Sequence, residues 1–286
     1  MLQRDAFIAE ITKRISKDKN IFFLSADFGA AALDELREKF PDNFIHCGIS
    51  EQAMLDVASG LALEGKKVFV YAMAPFLSLR AIEQTKCGAG LMNLPICLIS
   101  VGIGLGYADA GPTHYSTEDF ACFRAIVGSS IYTPADVATT KLIVNDMLDH
   151  PKFSYIRLDR NVLPDISPQI NSNDYQKGFK VYGKEDKKKI ALISHGKMLH
   201  SCLELYNKDK ENFICVDIFR SKPFPTELPK EISLCKGMVV VDEQSPQAIF
   251  HHVFLKVLVL KIIFQKLFQN LYQKNIFLKM AEEVIF

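Results

Sequence analysis

The stretch C47-GISEQAMLDVASGLALEGKKVFVYA-72 holds the reading from which the rest of the chain follows. Met54, Val57, Ala58, Leu61 and Ala62 recur at helical spacing, so the middle of the stretch is expected as an amphipathic helix. Gly65 is placed to stop it, and KVFVYAM follows as a short apolar run suited to a buried strand. Glu51 stands at the first turn of that helix, just after an apolar, Gly-containing segment. An acid there complements the helix dipole and Ser50 suits an N-cap, so the local sequence alone leaves Glu51 a structural or a chemical role.

The helix-then-strand unit repeats along the chain. IFFLSA is followed by AALDELREKF, and FIHCGIS leads into the Glu51 helix. KVFVYAM leads to a helix from Pro75 to Thr85, and PICLISV to a Gly-rich loop from Gly102 to Tyr115. STEDFACFRAI is expected as a helix, with Ser116 and Asp119 in capping-box spacing. SIYTP, ADVATTKLIVNDMLDH and FSYIRLD continue the alternation. Strands alternating with helices point to mainly parallel sheets covered on both faces. The expected fold class is α/β, as two three-layer domains. The first spans residues 1–165 and the second 190–286, the latter built on KIALISHG, FICVDIFR and GMVVVDEQ. Residues 166–189, polar and ending in the charge run KEDKKK, are expected as a linker.

Composition narrows the classes. The net charge of +1 gives no basic excess to argue for nucleic acid. Seven scattered cysteines without a CxxC pair read as reduced thiols of a cytoplasmic protein. The N-terminal MLQRDAFIAEITKRISKDKN is a charged amphipathic helix, unlike a signal peptide, and no uncharged run is long enough for a membrane span. GIGLG is a weak dinucleotide signal, because no helix follows those glycines. The tail from about residue 249 is atypical. From Phe250 to Phe286 it lacks Gly, Pro, Ser, Thr, Asp, Arg and Cys. It reads as an amphipathic helix, a membrane-surface helix or a segment translated out of frame.

Three further segments decide the chemistry: YAMAPFLSLRAIEQ (71–84), GIGLGYADAGPTHYSTEDF (102–120) and YIRLDRNVLPD (155–165). Together with GISEQ, in this order and spacing, they resemble the pyrimidine-binding part of transketolase-like, thiamine-diphosphate-dependent enzymes. The resemblance runs from about Ile21 to Gln244 and is strongest from Phe44 to Pro164. It implies that Glu51 binds N1′ of the cofactor's aminopyrimidine and favours the tautomer that removes the thiazolium C2 proton. An apolar enclosure would bias that carboxyl toward the neutral form it needs to donate a hydrogen bond. The resemblance also implies that Phe76 stacks on the pyrimidine, that Arg80 lines the same pocket and that Asp27 lies near the cofactor. His114 would contact a substrate oxygen and assist proton transfer, and Arg160 would bind a substrate phosphate. Taken singly, Phe76 reads equally as core, His114 as structural, Arg80 and Arg160 as surface cations and Asp27 as a turn cap.

Three positions depart from the family pattern. The acid before GPTH is Ala110, leaving Asp109, one position earlier, as the substrate-binding candidate. A further family histidine falls at Gly102, and a phosphate-binding serine near Ala31. These changes put ordinary pentose-phosphate substrates in doubt. No GDG is present to hold diphosphate and Mg²⁺, so the resemblance implies a separate N-terminal subunit carrying them, in an α2β2 heterotetramer. The chain would then be the C-terminal subunit of a split transketolase, transferring a two-carbon ketol unit between sugar or sugar-phosphate substrates. Deoxyxylulose-phosphate synthase-like chemistry, a 2-oxo acid dehydrogenase β subunit and a non-catalytic regulatory subunit are the alternatives.

Overall fold

The computed structural model describes residues 1–245; the tail readings lie outside the described residues. Helix α1 (Gln3–Ile15) leads into β1 (Ile21–Ala26), α2 (Asp34–Lys39), β2 (Phe44–Gly48), α3 (Glu51–Leu63), β3 (Lys67–Met73) and α4 (Ile82–Thr85). Then come β4 (Ile96–Val101), α5 (Asp119–Ala125), β5 (Ser130–Tyr132), α6 (Val137–Asp149) and β6 (Ser154–Leu158). The chain continues through α7 (Ser172–Lys177), β7 (Lys180–Tyr182), β8 (Ile190–Ser194), α8 (Gly196–Lys208), β9 (Phe213–Asp217), β10 (Arg220–Lys222), α9 (Leu228–Glu231) and β11 (Gly237–Val240).

Two sheets organise these elements. The first has the order β10-β5-β6-β4-β3-β1-β2, and β1 to β6 all run parallel. The second has the order β11-β8-β9-β7, parallel except for β7. The fold is thus α/β with mostly parallel sheets. Strand β10 leaves the neighbourhood of the second sheet and pairs antiparallel with β5, so the later part of the chain is stitched into the first sheet.

Side-chain alternation builds the core. Phe69 and Tyr71 of β3 face α1 and α6, packing among Phe7, Ile8, Ile11, Ile143 and Val144. Val68 and Val70 face the other way, among Met54, Leu55 and Ala58 of α3. The latter cluster runs on into Ala191, Ile193, Ile214 and Val216 of the second sheet. Strand β4 is buried along its whole length, as its unbroken apolar run requires when both faces are covered.

The stretch read as a linker carries α7 and β7. Asn171 and Asp174 form a reciprocal capping box, at 2.9 and 3.2 Å, and Gly178 ends the helix with φ +86°. Strand β7 then supplies the edge of the second sheet. Asn171 and Gly178 of this polar stretch are therefore helix caps.

Candidate active site

Strands β1, β3, β4 and β6 are parallel neighbours, so their carboxyl ends share one edge of the sheet. In open α/β sheets such an edge is where loops converge to form sites. Asp27 follows β1, Phe76 and Arg80 follow β3, the loop 102–116 follows β4, and Arg160 follows β6. Glu51 opens α3 beside them.

Glu51 is 4% exposed. Ser50 does not cap the helix with its side chain; its hydroxyl donates back to the Cys47 carbonyl. Arg80 Nη1 donates to Glu51 Oε2 at 2.8 Å, and its guanidinium carbon lies 4.2 Å from the centroid of the Phe76 ring. Glu51 is thus buried with a charged neighbour, Arg80, rather than among apolar groups alone. The expected single helix after Pro75 is interrupted, with Phe76–Arg80 and Lys86–Gly90 wound as wide π turns on either side of α4. The Ser78 hydroxyl, in the first of them, donates to the preceding Ala74 carbonyl at 2.6 Å. Arg80 lies over Phe76 across this wide turn, in the kind of winding often found at functional sites.

His114 lies across from this group. Its ring meets Phe76 edge-on, with centroids 5.2 Å apart, and its Nδ1 is 2.9 Å from Thr113 Oγ1. Phe76 and His114 are each half-buried. Pro75, Phe76, Leu79 and Arg80 form one wall of a cavity of about 510 Å³, and Pro112, Thr113, Tyr115 and Glu118 the other. Glu51, Phe76, Arg80 and His114 thus form one linked cluster. A buried acid linked through an arginine to an aromatic face, with a histidine against that face, suits a flat, nitrogen-containing ring. Among the described residues no three His, Cys, Asp or Glu side chains converge as metal ligands.

Arg160 and Asp109 meet each other. Arg160 Nη1 donates to Asp109 Oδ1, and the guanidinium stands 4.5 Å from the Tyr107 ring centroid. Hydrogen bonding to Arg160 holds the Asp109 carboxyl below its usual range. Tyr107 has no part in the sequence reading. Its ring fills the space beside Gly102, where any β-carbon would collide with it. That packing accounts for a glycine, at φ +80°, where the family pattern has a histidine. Tyr107 also meets Phe28 edge-on at 6.2 Å, and Phe28 stacks on Tyr71 at 5.3 Å. Asp27 is exposed, its amide bonded to the Gly48 carbonyl at 3.0 Å. The fold brings Asp27 to the same edge of the sheet but not into the linked cluster of Glu51, Phe76, Arg80 and His114.

Behind the groove lies a buried charge network that the sequence did not reveal. Arg157 of β6 is 1% exposed and grips Asp119 with Nε to Oδ2 at 2.8 Å and Nη2 to Oδ1 at 3.2 Å. Tyr155 donates to the same carboxylate at 2.9 Å. Arg157 Nη1 also lies 3.1 Å from Thr133 Oγ1 and 3.5 Å from His195 Nε2, which in turn is 3.1 Å from Asp242 Oδ1. Burial works against the Arg157 charge, yet Asp119 raises its pKa. The capping box expected from Ser116 and Asp119 does not form, because Asp119 is recruited by Arg157 across 38 residues.

Residues 2–165 match the model for "Transketolase, pyrimidine binding domain". The chain is 28% identical to one subunit of the apulose-4-phosphate transketolase of Phocaeicola vulgatus, over 84% of this chain and 78% of that protein. It is 32% identical to the protein of the same name from Actinobacillus succinogenes, over 73% of this chain and 67% of that protein. Human transketolase is 30% identical over 79% of this chain, which spans 36% of its length. In fold, the chain resembles a solved split-gene transketolase described as an inactive β4 tetramer, with TM-score 0.77 and 24% identity, covering 94% of this chain and 93% of that one. With more than half its length matched by the family model, the chain belongs to the transketolase family, through its pyrimidine-binding domain.

Proposed function

We propose that the chain is the C-terminal subunit of a split, thiamine-diphosphate-dependent transketolase that transfers a two-carbon ketol unit between sugar phosphates. The observation that carries this reading is the linked cluster of Glu51, Arg80, Phe76 and His114 at the carboxyl edge of a parallel sheet, with Phe76 and Arg80 lining the groove there. Thiamine diphosphate, when bound, supplies the carbon that accepts and releases the ketol unit. Glu51 would hold the proton shared with the pyrimidine N1′, having exchanged Arg80 for that partner. Phe76 would offer the ring a flat apolar face, and Arg80 would remain at the groove wall. His114 would orient a substrate oxygen and carry its proton through Nε2, while Thr113 steadies Nδ1. Arg160 would meet the distal, phosphate-bearing end of the substrate, with Asp109 beside it as the ion partner it leaves.

A separate N-terminal subunit would hold the diphosphate and Mg²⁺, in a cytoplasmic α2β2 assembly. The two relatives named as single subunits of a transketolase support such a division. Among the described residues no helix is long and apolar enough to cross a membrane. The test is to combine the chain with a separately encoded GDG-containing subunit and follow deuterium exchange at the cofactor C2. Glu51→Gln should slow exchange by about 10²-fold or more without preventing assembly. Near-normal exchange in that variant would remove Glu51 from the role. Absence of ketol transfer by the wild-type pair would reject the assignment itself.

A further inference from the structure

The second sheet contributes none of the seven site residues, yet the segment leaving it reaches the histidine loop. We propose that residues Asp242–Ser245, which follow β11, are a strap that positions this loop, with Gln244 as its positioning residue. The inference rests on the reading of His114 as a site residue.

The loop is pinned at both stems. Gly104 and Ser116 pair through two backbone hydrogen bonds, at 3.1 and 2.9 Å, closing the segment that carries Tyr107, Asp109 and His114. The strap touches each stem. Gln244, 6% exposed, donates from Nε2 to the Ser116 carbonyl at 3.2 Å, and the Ser245 amide donates to the Thr117 carbonyl at 2.9 Å. Glu243 packs on Gly104 so closely that a β-carbon there would stand 2.7 Å from the Glu243 β-carbon. Gly104 also has φ +57°, so stem geometry and strap contact both require glycine.

The strap is itself anchored in the second unit. Asp242 meets His195, at the end of β8, and Glu243 Oε1 lies 3.8 Å from Lys197 Nζ at the start of α8. The Val241 amide bonds the Ile193 carbonyl at 2.9 Å. Gln244 Oε1 is buried without a hydrogen-bond partner among the described residues, so the amide's one direct polar contact there is to the loop. The second sheet therefore serves the site at one remove, as the fixed frame against which the His114 loop is held.

Hydrogen exchange on the whole chain tests this without relying on activity. Gln244→Met keeps the packing and removes the donor. Peptides covering 104–117 should exchange about fivefold faster, with β1, β3 and β4 unchanged. Unchanged exchange in the loop, or an equal rise throughout the first sheet, would overturn the strap. In the assembled enzyme the same variant should lower kcat about fivefold with KM and cofactor affinity unchanged, and Gln244→Asn should recover part of the loss. A kcat equal to wild type would likewise overturn it. Failure of wild-type ketol transfer with the expected exchange result would reject the functional reading and leave the strap standing.

Discussion

Asp119→Asn should cost about 3 kcal/mol of stability while leaving the groove residues untouched. The replacement keeps the shape of the side chain and removes its charge. Arg157, 1% exposed, would lose its buried counterion, and one of the two guanidinium contacts at 2.8 and 3.2 Å would become donor against donor. Removing one partner of a buried pair typically costs about 3–5 kcal/mol, chiefly because the other charge stays buried. The lower end applies here, because Asp242, behind His195, still attracts Arg157. A loss of about 3 kcal/mol is roughly a hundredfold in the folding equilibrium and a large share of a typical domain's stability. Urea unfolding followed by circular dichroism reads it as a midpoint about 1 M lower at unchanged slope, for a slope of about 3 kcal/mol per M. A loss under about 1 kcal/mol would refute the argument that this pair is a buried, mutually dependent unit. The double change Asp119→Leu with Arg157→Met should recover most of the loss, since apolar residues replace a buried pair at little cost.

Glu243 gives a pH signature. Burial raises its carboxyl from 4.5 to about 7, so the folded chain holds a proton that the unfolded chain has released. Stability should therefore fall as pH rises from about 4.5 to 7, by at most roughly 3 kcal/mol, and Glu243→Gln should flatten that slope in melts across this range. A slope unchanged by the substitution would assign it to other groups. In the assembled enzyme, His114→Ala should lower turnover by about 10²-fold with cofactor affinity preserved, as read by steady-state rates and calorimetry. Unchanged turnover would return His114 to a packing role beside Phe76. Asp109→Ala should free Arg160 and lower KM for a phosphorylated sugar severalfold, with the gain shrinking at high salt. An unchanged KM would separate this ion pair from substrate binding.

Much of the fold is legible because apolar runs of strand length alternate with helical periodicity. β3 and β4 carry little besides residues that fit a doubly covered strand, so local sequence and tertiary demand agree there. Residues 166–189 show where composition is ambiguous. The polar composition that suggested a linker includes the Asn171 and Asp174 pair that starts a helix, and only the cap geometry separates the two. Ser116 and Asp119 show the reverse. Their spacing fits a capping box, but the desolvated Arg157 makes a stronger demand on the Asp119 carboxylate than an orphan amide does. An arginine in the centre of the buried strand YIRL signals that some partner must exist, although no local rule names one 38 residues away.

The site divides along the same line. The residue types at Glu51, Phe76 and His114 follow from motif order, because each stands where a parallel strand or helix delivers it to one edge. The bond between Arg80 and Glu51 does not, since it joins residues 29 apart that no local pattern pairs. That contact resolves a physical difficulty in the motif. A carboxylate at 4% exposure without a counterion would be costly, and a chain awaiting a cofactor must still fold. Arg80 meets Glu51 through a 2.8 Å hydrogen bond and covers the face of Phe76, the two groups that a flat heteroaromatic ring would engage. Its own side chain is 41% exposed, so it can be released toward water at little cost when another partner takes its place. The arginine that reads as a groove-lining cation in the sequence is thus the group that keeps the acid satisfied in the chain by itself.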